Sequence, residues 1–543
     1  MHRIFSIQEI VDNIVQCLAV RDTFSKKQAS DARHRLHPLS AEIEKEVRNL
    51  GQAGRAFRHS CLNELWYHQD GIMQLLFMIS VIQLQALNRP KFIDRAFLNR
   101  HRFAASYIPH PSPWVWALTR SLQPEDVPGV LFYSSRIREM SFTDKTDRVW
   151  LCQLSLDGPL PSALVLFPQL RVFAWIRNTR LPHGMDMDFV LNRTGDKLTV
   201  MAGAIHHRQR IKFMDMIQER RDHLSYLSFE DWDNLDREAG TREVAAHFFR
   251  DVLPGAKSLR QLHLRTSFQR YFNVWDVISK IPCLDKLTLR LTGAAIGPTS
   301  PASYGTLTTV IISVCDARLL CSLLEQVRFT RLQELKLDFY DDMDLTLVTL
   351  VPVVRSLLRS AVAACANSPL TSFTITSSLY LSYYKYKEAI SAHSDTALEG
   401  FGLRDLRPLM EKFPKLEVLD LRLGCHWILG DDDLKEIGRV WGPTLQVLRL
   451  DPDGGWFSST CVTVRGLKRF ASQCPRLSVL GIQFVESLAV DDIPTVHMLL
   501  DRNNRETLRI RYTHNASSAS FKLMDIARYL LHCFPSLRDI EVQ

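Results

Sequence analysis

Two acidic clusters are the first places in this sequence where chemistry could be expected: Asp431-Asp432-Asp433, and Asp341-Asp342 with Asp344. Carboxylates this close together can hold a divalent cation. A calcium loop also needs a central Gly and a distal Glu, which neither cluster has. Both stand directly before a helical pattern, where carboxylates cap free amides and complement the helix dipole. Capping is the expected role. His206-His207, with Arg208 and Arg210, is a basic cluster in a loop or at a helix start; no HExxH and no Cys at zinc spacing goes with it. The eleven Cys run from Cys17 to Cys533 without a CxxC pair, which reads as buried thiols in a reducing compartment, cytoplasm or nucleus. Gly400-Phe401-Gly402 is too short for a dinucleotide site, and the phosphate-loop and GxSxG patterns are missing. The expectation is a chain that is not an enzyme and uses no cofactor or metal. An enzyme would need a compact cleft of convergent polar groups, which this sequence does not reveal.

Charge and composition narrow the partners. Of the 543 residues, 46% are apolar and 23% charged, which excludes a largely disordered or collagen-like chain. Lys and Arg number 67 against 59 Asp and Glu, a net charge of +8. Over this length the excess is too dilute to imply nucleic acid or a membrane surface. The N-terminus shows no charged and apolar regions of a signal peptide. The most apolar long stretch, residues 345–366, carries Arg355 and Arg359 one helical turn apart. It is expected to be an amphipathic helix whose wet face holds both arginines.

Periodicity sets the architecture. A cassette of Leu or a substitute, two residues, an apolar residue, one residue and another apolar residue recurs along the chain. It begins at Ile137, Leu170, Leu224, Leu259, Leu284, Leu307, Leu332, Leu370, Leu416, Leu445, Leu477 and Leu537. Weaker copies lie near Leu198 and at Leu508-Arg509-Ile510. Phe167-Pro168, Ile281-Pro282, Phe413-Pro414, Cys474-Pro475 and Phe534-Pro535 open some of them. Pro there stops a helix and holds the chain extended into a strand. Helical patterns fill the intervals, for example Leu434, Ile437, Val440 and Trp441. Each unit is one strand and one helix that cannot bury its apolar face alone, so neighbours must stack. Trp175, Trp232, Trp275 and Trp441 fall on or beside the pattern and are expected to fill the core.

This pattern resembles leucine-rich repeats of the long, irregular kind, over roughly residues 130 to 543. The resemblance implies an α/β leucine-rich-repeat solenoid, a horseshoe with parallel strands on its concave face and helices on its convex face.

Ahead of the repeats, Ser6 and Glu9 have capping-box spacing, and Ile7, Ile10, Val11, Ile14, Val15 and Leu18 form one apolar stripe. After a polar stretch of about residues 21–39, Ser40 can cap a second helix with Ile43, Val47, Leu50 and Ala53. Gly54-Arg55-Ala56-Phe57 and Leu65-Trp66 follow. This order resembles the F-box, a three-helix module with a Cys-Arg-x-Trp signature and a Leu-Trp near its end. Arg55 matches the signature Arg, Gly54 and Phe57 replace its Cys and Trp, and Ile4-Phe5 stands where Leu-Pro usually opens the motif. Together with the repeats, the chain is similar to fungal F-box proteins. That resemblance implies a helical module over residues 1–90, a junction over 91–130 and a solenoid over 131–543. It also implies a function: a non-catalytic substrate-recognition adaptor of an SCF-type cullin–RING ubiquitin ligase. Phe5, Ile10, Ile14, Leu18, Arg55, Phe57, Leu65 and Trp66 would dock on a Skp-type adaptor. The alternative is a leucine-rich-repeat interaction scaffold with no link to ubiquitination, whose first helices merely cap the array.

Strand alternation turns the residues between cassette positions away from the core. Gln261, His263 and Arg265, then Lys286, Thr288 and Arg290, and further on Lys336 would form a basic patch there. It suits a target protein that is acidic or phosphorylated. Glu334, Asp338, Asp420 and Asp451 equally fit a mixed solvated face.

Overall fold

Alternating apolar and polar residues give a strand one buried row and one outward row, and a strand stands at every cassette. The structure, a computed structural model, describes residues 15, 41–53, 55–70, 75, 82–86, 114–118, 123–142, 164–175, 190–205, 207–231, 246–266, 273–291, 302–339, 347–377, 400–425, 427–451, 462–482, 507–510 and 539–542. They belong to two units, 1–266 and 267–543. Each contains helices and a run of parallel strands.

The first helices of this unit described over their length are α1 (Ala41–Ala53) and α2 (Arg55–Leu65). Val47 and Cys61 from these helices pack with Val15 in a small buried core, flanked by Ile43, Leu50 and Leu65. Strand β1 (His68–Asp70) follows, then an antiparallel pair, β2 (Ile82–Ala86) with β3 (Trp114–Leu118). Helix α3 (Val127–Ser134) leads into β4 (Glu139–Phe142), β5 (Val172–Trp175) and β6 (Val200–Ile205). Helix α4 (His207–Arg220), β7 (Tyr226–Asp231), a π-helical turn at Phe248–Val252 and β8 (Gln261–Thr266) complete it. The strands β1, β4, β5, β6, β7 and β8 lie side by side in chain order, all parallel. β6 arises from the weaker copy near Leu198. β1 falls inside the segment expected to be purely helical, and its backbone joins the sheet beside β4. Buried Gln69 on β1 donates from Nε2 to the Leu65 carbonyl, 3.0 Å, which ties the end of α2 to the sheet.

In the second unit, α5 (Val274–Ile278), β9 (Lys286–Leu291), β10 (Ala302–Tyr304), β11 (Thr309–Val314), α6 (Ala317–Glu325), β12 (Val327–Phe329) and β13 (Glu334–Phe339) come first. Then follow α7 (Leu347–Cys365), β14 (Ser372–Ser377), β15 (Phe401–Gly402), α8 (Leu403–Lys412), β16 (Val418–Arg422) and β17 (Trp427–Ile428). Last are α9 (Asp431–Trp441), β18 (Val447–Leu450), α10 (Val464–Gln473), β19 (Val479–Gly481), β20 (Thr507–Ile510) and β21 (Asp539–Val542). Strands β9, β11, β13, β14, β16, β18 and β19 form a parallel sheet, again in chain order. The inward row Leu287, Val310, Leu335, Phe373, Leu419, Leu448 and Leu480 is in register and at most 3% exposed. Full burial of such a side chain contributes about 1.5–3 kcal/mol.

The joints explain the register. Phe167, Ile281, Phe413 and Cys474 are buried. The carbonyls of Phe413 and Cys474 accept the N–H of the next cassette's leading residue, Leu416 at 3.2 Å and Leu477 at 3.1 Å. The Pro between them has no N–H to prolong the helix. One backbone carbonyl then launches each neighbouring strand: Asp285 accepts from Thr308 and Thr309, Thr308 from Gln333 and Glu334, Gln333 from Thr371 and Ser372.

Several expectations meet the structure here. Asp433 caps α9, accepting the Gly430 N–H at 2.8 Å. Asp431 instead accepts from the Thr463 N–H, 2.7 Å, and hydroxyl, 2.6 Å, tying the start of α9 to that of α10. Asp341, Asp342 and Asp344 lie outside the described residues. Arg359 is exposed as expected, but Arg355 is not on a wet face. Its guanidinium donates to Asp405, 2.8 Å, and to the Gly400 carbonyl, 2.9 Å, because the start of α8 packs beside α7. Trp175, Trp275 and Trp441 fill the core as expected; Trp232 lies outside the described residues. Cys61, Cys321, Cys365, Cys425 and Cys474 are buried free thiols, whereas Cys283 is exposed. Burial pushes the Cys365 thiol up to about 12. Among the described residues no helix is long and apolar enough to cross a membrane, and no group of His, Cys, Asp and Glu could hold a metal ion.

Candidate binding surface

Register assigns the outward side chains row by row. In the second unit Thr288, Ile311, Lys336, Thr374, Asp420, Arg449 and Gly481 stand in one row. Arg290, Ser313, Asp338, Thr376 and Arg422 form the next. A third runs from exposed Lys286 and Glu334 to half-buried Val418, Val447 and Val479. The charges are locally compensated. Lys336 lies 3.5 Å from Asp338, which accepts from the Ser313 hydroxyl. Asp420 is held between Arg422, whose Nε donates at 3.1 Å, and Arg449, whose Nη1 donates at 2.9 Å. Neither arginine was among the expected binding residues, although both sit at the same outward cassette positions as Arg290 and Lys336. Such a face offers alternating charge, hydroxyls and an apolar row. That is chemistry for a protein surface rather than for a uniform polyanion.

The expected basic patch is divided between the units. Gln261, His263 and Arg265 are on β8, beside Tyr226, Ser228 and Glu230. His263 Nε2 and Arg265 Nη1 each lie 3.7 Å from Glu230, so both side chains face a carboxylate. Lys286, Thr288 and Arg290 are on β9 and Lys336 on β13. Asp451, expected on the solvated face, is instead fully buried. Just beyond β18 the chain takes a left-handed turn at φ +43°, a conformation Asp tolerates better than most residues. Its carboxyl accepts from the Gly424 N–H, 2.9 Å, and the Trp427 indole N–H, 2.5 Å. Burial outweighs these donors and pushes it up to about 7.

Only part of the expected docking set falls on described residues. Phe5, Ile10, Ile14 and Leu18 lie outside the described residues. Arg55 and Phe57 occupy the first turn of α2. Leu65 flanks the Val15, Val47 and Cys61 core. Trp66 is 7% exposed, with its ring centroid 4.7 Å from that of Tyr133 on α3. His68 lies 3.5 Å from both Glu139 and the Ser141 hydroxyl, an arrangement with the order of an acid–base relay. Ser141 is only 2% exposed, so a substrate could not reach it. No protein-family model matches this chain, and no curated protein matches it either.

Proposed function

We propose that this chain is the substrate-recognition adaptor of an SCF-type cullin–RING ubiquitin ligase, an F-box-like helical module followed by a leucine-rich-repeat solenoid. The observation that carries the reading is an order. A helical core of Val15, Val47 and Cys61 comes first, and parallel strands follow at successive cassettes, in chain order. A chain that adds one strand and one helix per step presents long outward rows, suited to a protein partner. The ligase needs no catalytic residue here, because holding a target beside a ubiquitin-loaded enzyme raises the effective concentration of its lysines.

Docking on a Skp-type adaptor is assigned to Phe5, Ile10, Ile14, Leu18, Arg55 and Phe57, with Leu65 and Trp66 supporting the module from within. The target protein is assigned to the outward rows through Lys286, Arg290, Lys336, Arg422 and Arg449. Co-expression with a Skp-type adaptor, followed by size-exclusion chromatography, tests the reading. The wild-type chain should co-elute, Ile14→Ala with Phe57→Ala should not, and Arg290→Ala with Lys336→Ala should. A wild-type chain that elutes without the adaptor removes the ligase reading.

One observation favours a second reading. Trp66 packs on Tyr133 and β1 joins β4, which are the features of a structural cap. The chain would then be a leucine-rich-repeat interaction scaffold, and disrupting Phe57 would alter stability with no adaptor binding to lose.

A further inference from the structure

The last three described helices of the second unit carry exposed cations of their own, apart from those of the outward strand rows. Arg407 on α8, Lys435 and Arg439 on α9, and Arg465, Lys468 and Arg469 on α10 are all exposed. Many acidic residues of the same helices are used internally. Asp405 holds Arg355, Asp431 holds Thr463, and Asp433 caps Gly430. Glu411, Asp432 and Glu436 remain toward solvent, and Glu436 is bound to Arg439 at 2.6 Å. Helix α10 is the clearest case. Leu467, Phe470 and Ala471 are buried, Arg465, Lys468 and Arg469 are exposed, and the helix contains no acidic residue.

Packing joins the charges. A Cβ on Gly438 would come 3.1 Å from Phe470, and one on Gly442 would come 2.3 Å from the Gln473 carbonyl oxygen. Glycine at both positions lets α9 and α10 lie close, within the usual helix spacing of about 8–10 Å. That is about one Debye length at physiological salt, so cations on both helices act on a partner together. Stability does not explain the placement. Arg404 and Arg465 are the second residues of α8 and α10, where the helix dipole disfavours a cation.

The described side chains of these helices include no exposed aromatic or large apolar residue. Base stacking and membrane insertion both depend on such groups. The interspersed Glu411, Asp432 and Glu436 oppose a uniform polyphosphate and fit a partner whose charges are spaced by neutral positions. We infer that the exposed face of α8, α9 and α10 is a docking surface for a second protein, engaged through a segment rich in Asp and Glu. This surface is separate from the outward strand rows and does not depend on the ligase reading.

Fluorescence anisotropy of a labelled Glu-rich peptide, titrated with the full chain, tests the inference. The peptide should bind, and its affinity should fall as salt rises. The variant Arg465→Glu, Lys468→Glu, Arg469→Glu should weaken it about tenfold or more, while Arg318→Glu, at an exposed position of α6, leaves it unchanged. The neutral variant Arg465→Gln, Lys468→Gln, Arg469→Gln, checked for wild-type melting, should give a smaller loss of the same kind. The inference is overturned if the peptide does not bind or the folded neutral variant binds like wild type. It is equally overturned if an RNA duplex or phosphatidylserine vesicles bind this face more tightly than the peptide.

Discussion

The parallel strands of the two units use the same cassette and differ in their outward rows. In the first unit Ala174, Val200, Ala202 and Tyr226 form an outward cluster at most 8% exposed, with Glu139, Ser141 and Ser228 buried beside them. In the second unit Thr288, Ile311, Lys336 and Thr374 are half-buried, and Lys286 and Glu334 are exposed. In the first unit the outward positions Ser141, Ala174, Ala202 and Ser228 of β4 to β7 are buried and those of β8 are half-buried. The second unit's outward rows are largely open. The cassette therefore specifies only the inward row. Outward chemistry is set strand by strand, and a face of Ala, Val and Ser that is already buried leaves no room for a partner. This is why target binding is assigned mainly to the second unit.

The largest test of this contrast places a charge in each outward row. Ala202→Glu buries an unpaired carboxylate in the first unit and should cost about 3 kcal/mol or more. Thr374→Glu in the second should stay within about 0.5 kcal/mol. Thermal unfolding of both reads the difference, and equal losses would break the comparison. Inward positions should behave alike: Leu227→Ala and Leu335→Ala should each cost about 2–5 kcal/mol by the same measurement. A marked inequality would mean that the cassette rows are not equivalent.

A smaller effect belongs to Asp451. Its carboxyl is raised from 3.8 to about 7 in the folded state, so folding favours the protonated form. The stability it contributes is fully present below about 4 and is lost as pH rises through about 7. The melting temperature of wild type relative to Asp451→Asn should therefore fall between pH 5 and pH 8, and a flat difference would contradict the burial argument. The smallest effect is expected from Glu230→Gln, which removes the carboxylate 3.7 Å from His263 and Arg265 on β8. Part-exposed pairs of this kind contribute about 1 kcal/mol or less. A larger loss in urea unfolding would show that β8 has the buried character of its neighbours.

Much of the fold was legible because its signal is local. The alternation at Leu332, Leu335 and Leu337 places β13 without reference to any other residue, and the Pro joints mark where helices stop. Even the faint copy near Leu198 becomes β6. Features that depend on distant residues were not legible. β1 is three residues long and carries no period, and its place is decided by the backbone of Glu139–Phe142. Arg355 reads as a solvated arginine until Asp405, fifty residues on, is beside it. Trp66 reads as a docking residue from its place beside Leu65, and only the fold shows Tyr133 packed on its ring. The basic face of α8, α9 and α10 was missed for the same reason. Its cations recur every three or four residues on helices about thirty residues apart, so no window of sequence contains them together.

By itself, the sequence determined which residues turn inward, where strands begin and which helices are amphipathic, since each follows from spacing within a few turns of chain. Only the tertiary structure decided which outward face is buried, which carboxylates are already occupied and which exposed cations of separate helices stand near one another. Burial and electrostatic potential are sums over neighbours in space, and those neighbours come from segments that the order of residues keeps far apart.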